Sequence, residues 1–143
     1  MTGEADSPST IAEYRRLGSP QLFFLPLHAL EVQNAILQPA VHKRRSISSR
    51  ERRHVARERD AALARLKHLV ARRALLDVTL DMDAASTRAV NLATVHTERL
   101  GARAIDLLHV AGALTLQSDL FLTTDGRQAQ LAKAEGLKVV SVG

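Results

Sequence analysis

The sequence has no cysteine and no tryptophan, and only one tyrosine and three phenylalanines among its 143 residues. Without thiols there is neither a disulfide framework nor a thiolate metal site, which suits a reducing cytoplasm, and a cytoplasmic location is the expectation. So few rings exclude stacking of bases on aromatic side chains as the main mode of nucleic-acid binding. Long apolar runs are missing too: Glu31 and Asp106 interrupt the longest ones well short of the roughly 18 residues that a membrane span needs, and no signal peptide is visible. Four prolines and seven glycines argue against disorder beyond the first ten residues. The chain is long enough for one core, so residues 1–143 are expected to form a single domain, with 1–10 disordered.

What is present is unevenly placed. Residues 43–73 hold twelve Lys or Arg against Glu51, Glu58 and Asp60, a local charge of +9, while the whole chain carries +5 and the remainder therefore −4. The same stretch has the longest helical pattern, opening after Ser48 and Ser49 and running through Ala56, Leu63, Leu66 and Val70, with Glu51 early, where the helix dipole favours an acid. A charge run of this kind is commonly a solvated helix face. It equally suits the phosphates of an RNA or an acidic segment of a protein partner.

The most informative residue is Asp106, in Ala104-Ile105-Asp106-Leu107-Leu108-His109-Val110-Ala111-Gly112-Ala113-Leu114. Leu107, Val110, Ala111 and Leu114 form one helical stripe and Ile105, Leu108, Gly112 and Leu116 another, so most of this helix is to be buried and Asp106 desolvated. A carboxylate withdrawn from water needs a metal, a cation or helix N-terminal amides to satisfy it. His109, one turn on, reads as a buried imidazole held by a backbone carbonyl, with proton transfer as its other reading. Arg103 either pairs with Asp106 or is a surface residue, and Gly101 with Arg103 marks a break between two helices.

Two further acids sit in comparable places. Asp125 ends the apolar strand Leu120–Thr123 and opens the helix Gln128–Glu135; in open parallel sheets ligands gather at the carboxyl ends of strands, although Asp is also an ordinary helix cap. Glu31 lies on the helix whose core stripe is Ala29, Val32 and Ile36, and it shares another side with Asn34 and Gln38, a stripe that is either functional or simply solvated. The remaining elements read as a helix Ile11–Leu17 stopped by Gly18, a strand Gln21–Leu25, the Glu31 helix to about Val41 with Pro39 ending or kinking it, the basic helix to Arg73, a strand Leu76–Leu80, helices Ala84–Leu100 and Ala104–Gln117, and a last strand Lys138–Val142. This alternation predicts an α/β protein with a parallel sheet covered by helices on both faces.

The order of these segments, with the I-D-L-L-H-V-A helix, the D-L-F-L-T-T-D strand end and the closing G-L-K-V-V, resembles the PIN-domain family, and within it the VapC-type toxins of bacterial toxin-antitoxin pairs. The resemblance runs from about Gln21 to Gly143. It implies a three-layer α/β/α sandwich, a metal-dependent ribonuclease toxin as the function, and Glu31, Asp106 and Asp125 as the acids that hold Mg²⁺ or Mn²⁺ and carry catalysis, with Thr124 in support. It also implies an RNA substrate, a cognate antitoxin, a homodimer and no membrane partner. One family element is missing: a first strand of the Y-L-D-T-S type, whose Asp is the first metal ligand. Here Met1 to Thr10 offers no apolar strand before its only acid of that kind, Asp6, and the sequence starts after the position where that strand should end. The strands Gln21–Leu25 and Leu120–Thr123 would then close the gap by pairing directly, by using N-terminal residues or by borrowing a strand from another copy. The alternative function is a catalytically inactive PIN remnant that binds an antitoxin or RNA through the basic helix.

Overall fold

Two of the helices are announced by their caps. Ser48 accepts from the Glu51 amide at 3.3 Å while the Glu51 carboxylate accepts from the Ser48 amide at 2.7 Å, the reciprocal pair that fixes where the basic helix begins. Asp81 accepts from the Ala84 amide at 2.9 Å and starts the next helix at Met82, two residues earlier than the apolar pattern alone predicts. A computed structural model describes residues 7–43 and 48–141. In chain order the elements are α1 (Ser7–Arg16), β1 (Leu22–Phe24), α2 (Pro26–Lys43), α3 (Ser49–Ala71), β2 (Leu75–Asp77), α4 (Met82–Leu100), α5 (Ala104–Thr115), β3 (Phe121–Thr123), α6 (Gly126–Ala134) and β4 (Val139–Ser141). The chain is α/β, mostly helical, with short parallel strands.

The chain divides into two compact units, one of residues 20–79 and one of residues 1–19 with 80–143. In the first, β1 pairs in parallel with β2, Leu22 opposite Leu75 and Phe24 opposite Asp77, and the crossover runs through α2 and α3, which pack on each other. In the second, β3 pairs in parallel with β4, Phe121 opposite Val139 and Thr123 opposite Ser141, with α6 as the crossover that a parallel pair requires. The core of this second unit is Ala89, Leu92, Ala102, Leu107, Val110, Ala111, Leu131 and Ala132, so α4, α5 and α6 meet over small side chains. Val110 and Leu131 are fully buried, and each such burial contributes about 1.5 to 3 kcal/mol.

Several expectations are corrected. The strands at Gln21–Leu25 and Leu120–Thr123 do not pair with each other among the described residues; each takes the strand that follows it in its own unit. Nor do the N-terminal residues serve as a strand from Ser7 onward: Ser7–Thr10 is the first turn of α1, where Pro8 lacks only an amide that has no intrahelical acceptor anyway. The first six residues, and Asp6 with them, lie outside the described residues. Pro39 does not end α2, which runs on to Lys43. The bond it removes belongs to Ala35, whose position is exposed, so water replaces the missing donor.

At Gly101 the expected break is made by a left-handed residue, φ 62°, which closes α4 as its amide donates to the Thr97 carbonyl at 2.9 Å. A Cβ here meets no neighbouring atom, so the cost of adding one is backbone strain alone. Gly101→Ala is therefore expected to destabilise the protein by about 1 kcal/mol, read as a lower urea midpoint at unchanged slope. An unchanged midpoint would mean that the break does not depend on the glycine.

Candidate functional site

Asp106 is the third residue of α5 and only 4% exposed. Its Oδ2 accepts from the backbone amide of Arg103, just ahead of the helix, at 2.9 Å. That amide is one of the donors a helix start leaves without a partner, and the dipole there favours an anion. Of the two readings of Arg103, a partner for Asp106 or a surface residue, the side chain takes the second: it is exposed, and the amide serves. Asp106 Oδ1 accepts from Gln128 Nε2 of α6 at 3.1 Å.

The other end of Gln128 continues the network. Thr123, the last residue of β3 and itself buried, donates from Oγ1 to Gln128 Oε1 at 3.0 Å, and its oxygen accepts from the Asp125 amide at 3.0 Å. Every role in this chain is forced. An amide N–H only donates, so the Thr123 hydroxyl must pass its own proton to Gln128 Oε1, which leaves Nε2 to donate to a carboxylate that only accepts. Three donors from the end of β3 and the start of α6 thus point one way, ending on the Asp106 carboxylate at the start of α5. Bonds aligned in this manner polarise one another.

Asp125 is exposed and caps α6, its Oδ1 accepting from the amides of Arg127 at 2.7 Å and Gln128 at 3.2 Å. Gln128 therefore touches both acids, one through its backbone and one through its side chain. Of the three acids singled out from the sequence, Asp106 and Asp125 are brought into one network in one unit, while Glu31 is an exposed residue of α2 in the other unit. Among the described residues no group of three or more His, Asp or Glu is placed to hold a metal ion. Neither Asp106 nor Asp125 has a cationic partner among them. Hydrogen bonds reach both carboxylates, but no cationic side chain among the described residues neutralises either of them. Thr124 is exposed, and its neighbour Thr123 takes the supporting place.

Gln128 and Thr123 were not foreseen. A donor three residues beyond a capping acid is the signal that points to the first. His96 also escaped notice, although it continues the stripe Ala85, Ala89, Leu92 at helical spacing. It is 4% exposed; Arg99 Nη2 donates to its Nδ1 at 3.0 Å, so the ring proton sits on Nε2 and is donated to Glu135 Oε1 at 2.6 Å. This links α4 to the end of α6. His109 is half-buried.

No family model, curated protein or solved structure matches the chain.

Removing the amide of Gln128 leaves Asp106 with one donor fewer and Thr123 without its acceptor. Gln128→Ala is expected to cost roughly 1 to 3 kcal/mol. Most of that loss should vanish in an Asp106→Asn background, where the charge to be satisfied is gone; two fully additive substitutions in thermal melts would break the proposed coupling.

Proposed function

We propose that this chain is a PIN-type ribonuclease of a toxin-antitoxin pair, gripping RNA with α3 and presenting Asp106 and Asp125 to a divalent cation. The observation that carries the reading is the unneutralised acid pair, one member almost wholly buried, at the carboxyl end of a parallel strand, the place where ligands gather in such sheets. Carboxylate oxygens are the donors Mg²⁺ or Mn²⁺ prefers, and an ion that keeps several of its waters asks for few protein ligands. When bound, such an ion supplies an activated water and charge stabilisation for phosphodiester cleavage. Within the chain, Asp106 and Asp125 would hold it, and the donor chain through Gln128 and Thr123 fixes the Asp106 carboxylate against rotation. The three-acid set implied by the resemblance is not assembled from the described residues, so Glu31 has no assigned role here.

RNA binding rests on α3. Arg50, Arg53 and Arg57 follow one another along the face opposite Val55, Leu63 and Leu66, and none of the three has a hydrogen bond or ion pair among the described residues. Arg50, Arg52 and Arg53 also crowd the first turn, the end at which the helix dipole penalises cations. Charges placed against the local field, with the nearest acids used elsewhere (Glu58 on His54, Asp60 on Arg59), fit an anionic ligand better than they fit helix stability.

A second reading, binding without cleavage, is favoured by the fact that both acids already have protein donors, which a wholly structural carboxylate also requires. One set of measurements separates the two. Changing Arg50, Arg53 and Arg57 together to Glu is expected to lower affinity for single-stranded RNA and to reduce the slope of log affinity against log salt by about 2. Mn²⁺ should raise the melting temperature of the parent but not of Asp106→Asn, since an ion that binds only the folded state stabilises it by mass action. Cleavage should disappear in Asp106→Asn and persist in part in His109→Gln. RNA binding with no Mn²⁺ effect on melting and no cleavage would select the binding module.

A further inference from the structure

Helix α6 turns one face to its neighbours, and both ends of that face are polar. At about 100° per residue, Gln128, Leu131, Ala132 and Glu135 fall within an arc of about 100°, while Arg127, Gln130, Lys133 and Ala134 are exposed. Leu131 and Ala132 are fully buried in the middle of the stripe, in the core that α6 shares with α4 and α5. Ahead of them Gln128 Nε2 donates to Asp106 Oδ1 on α5; behind them Glu135 Oε1 accepts from His96 on α4. Apolar contact holds a helix in place without fixing its roll, because it has no preferred direction. Hydrogen bonds weaken steeply with angle, so the two polar contacts set the roll. Since they lie on the same face, a roll that breaks one also carries the other away from its partner.

Nothing local asks for an acid at Glu135. It caps the carboxyl end of α6, where the helix dipole disfavours a carboxylate. Its partner is the His96 ring, only 6% exposed at the end of the stripe Ala85, Ala89, Leu92. Arg99, three residues further along α4, donates to Nδ1 at 3.0 Å and can only donate, which keeps the ring proton on Nε2 for Glu135 at 2.6 Å. Arg99, His96 and Glu135 thus form a second directed chain. It secures the end of α6 as the chain through Thr123 secures the start.

We propose that His96 is a positioning residue for the Asp106 and Asp125 pair: by holding Glu135 it fixes the roll of α6, and with it the place from which Gln128 donates to Asp106. The expected effect on Mn²⁺ rests on the cation reading of that pair, whereas the hold on Gln128 does not.

Hydrogen exchange at the Arg103 amide, which donates to Asp106 Oδ2, reports on the carboxylate directly. Glu135 is only half-buried and is therefore the end of the chain to change. Glu135→Ala is expected to speed exchange at Arg103 at least about tenfold, and Glu135→Gln, whose Oε1 still accepts from His96, to stay within about twofold of the parent. In Gln128→Ala protein, where the route is already cut, Glu135→Ala should add nothing. Val139→Ala, which thins the same core away from both polar contacts, should not reproduce the acceleration. The Mn²⁺-induced rise in melting temperature should shrink in Glu135→Ala and return in Glu135→Gln. Exchange at Arg103 indifferent to Glu135→Ala, the same acceleration with and without Gln128, or an equal one in Val139→Ala would each overturn the role of His96. A parent whose melting ignores Mn²⁺ counts against the cation reading alone, and the exchange rates still decide the positioning.

Discussion

A carboxylate shut away from water has to be answered by donors that cannot move off, and that requirement organises the unit built from α1 and α4 to β4. Asp106 is answered from two directions, by an amide of its own chain just ahead of α5 and by Gln128 from α6. The second donor is useful only if Gln128 is held in one orientation, which Thr123 does, and Thr123 is in turn oriented by the Asp125 amide. The start of α5, the end of β3 and the start of α6 are therefore fixed by a single directed chain of hydrogen bonds. Around it, Ala102, Ala111, Ala129 and Ala132 let the helices approach closely enough for a carboxamide to reach across.

Much of this was legible from the sequence because the signals were local. The α5 pattern foretold a buried acid, and the choice between a metal and N-terminal amides was posed correctly; the amide is present and a metal is the proposal. Gly101, Ser48 with Glu51, and Asp125 sit where their capping chemistry predicts. Harder to read were relations that span the chain. The partner of Asp106 is 22 residues away and that of His96 is 39, and single-sequence periodicity carries no information on which helix faces which. Sheet pairing failed for the same reason: strands of three residues have too little pattern to dictate neighbours, and each strand takes the next one in its own unit whether one helix or two intervene.

The unit of residues 20–79 has the opposite character. Its burial is thin, with Leu25 and Val55 the buried apolar residues among those described, and α2 exposes Leu30, Leu37 and Val41. The first turn of α3 gathers cations where the dipole repels them. Conflicts between local and global preference tend to sit at functional positions, because there the compensating interaction comes from a ligand.

Hydrogen-bond satisfaction and charge neutralisation are distinct requirements, and Asp106 and Asp125 meet only the first. Neutral donors lower the cost of burying an anion without removing its field. The carboxylate oxygens of both acids have lone pairs beyond those the present bonds occupy, and a cation therefore need not displace Gln128 to be attracted. A buried acid is commonly paired with a lysine or arginine; here Arg103 and Arg127, close to the two acids in sequence, lend their backbone amides and leave their side chains exposed.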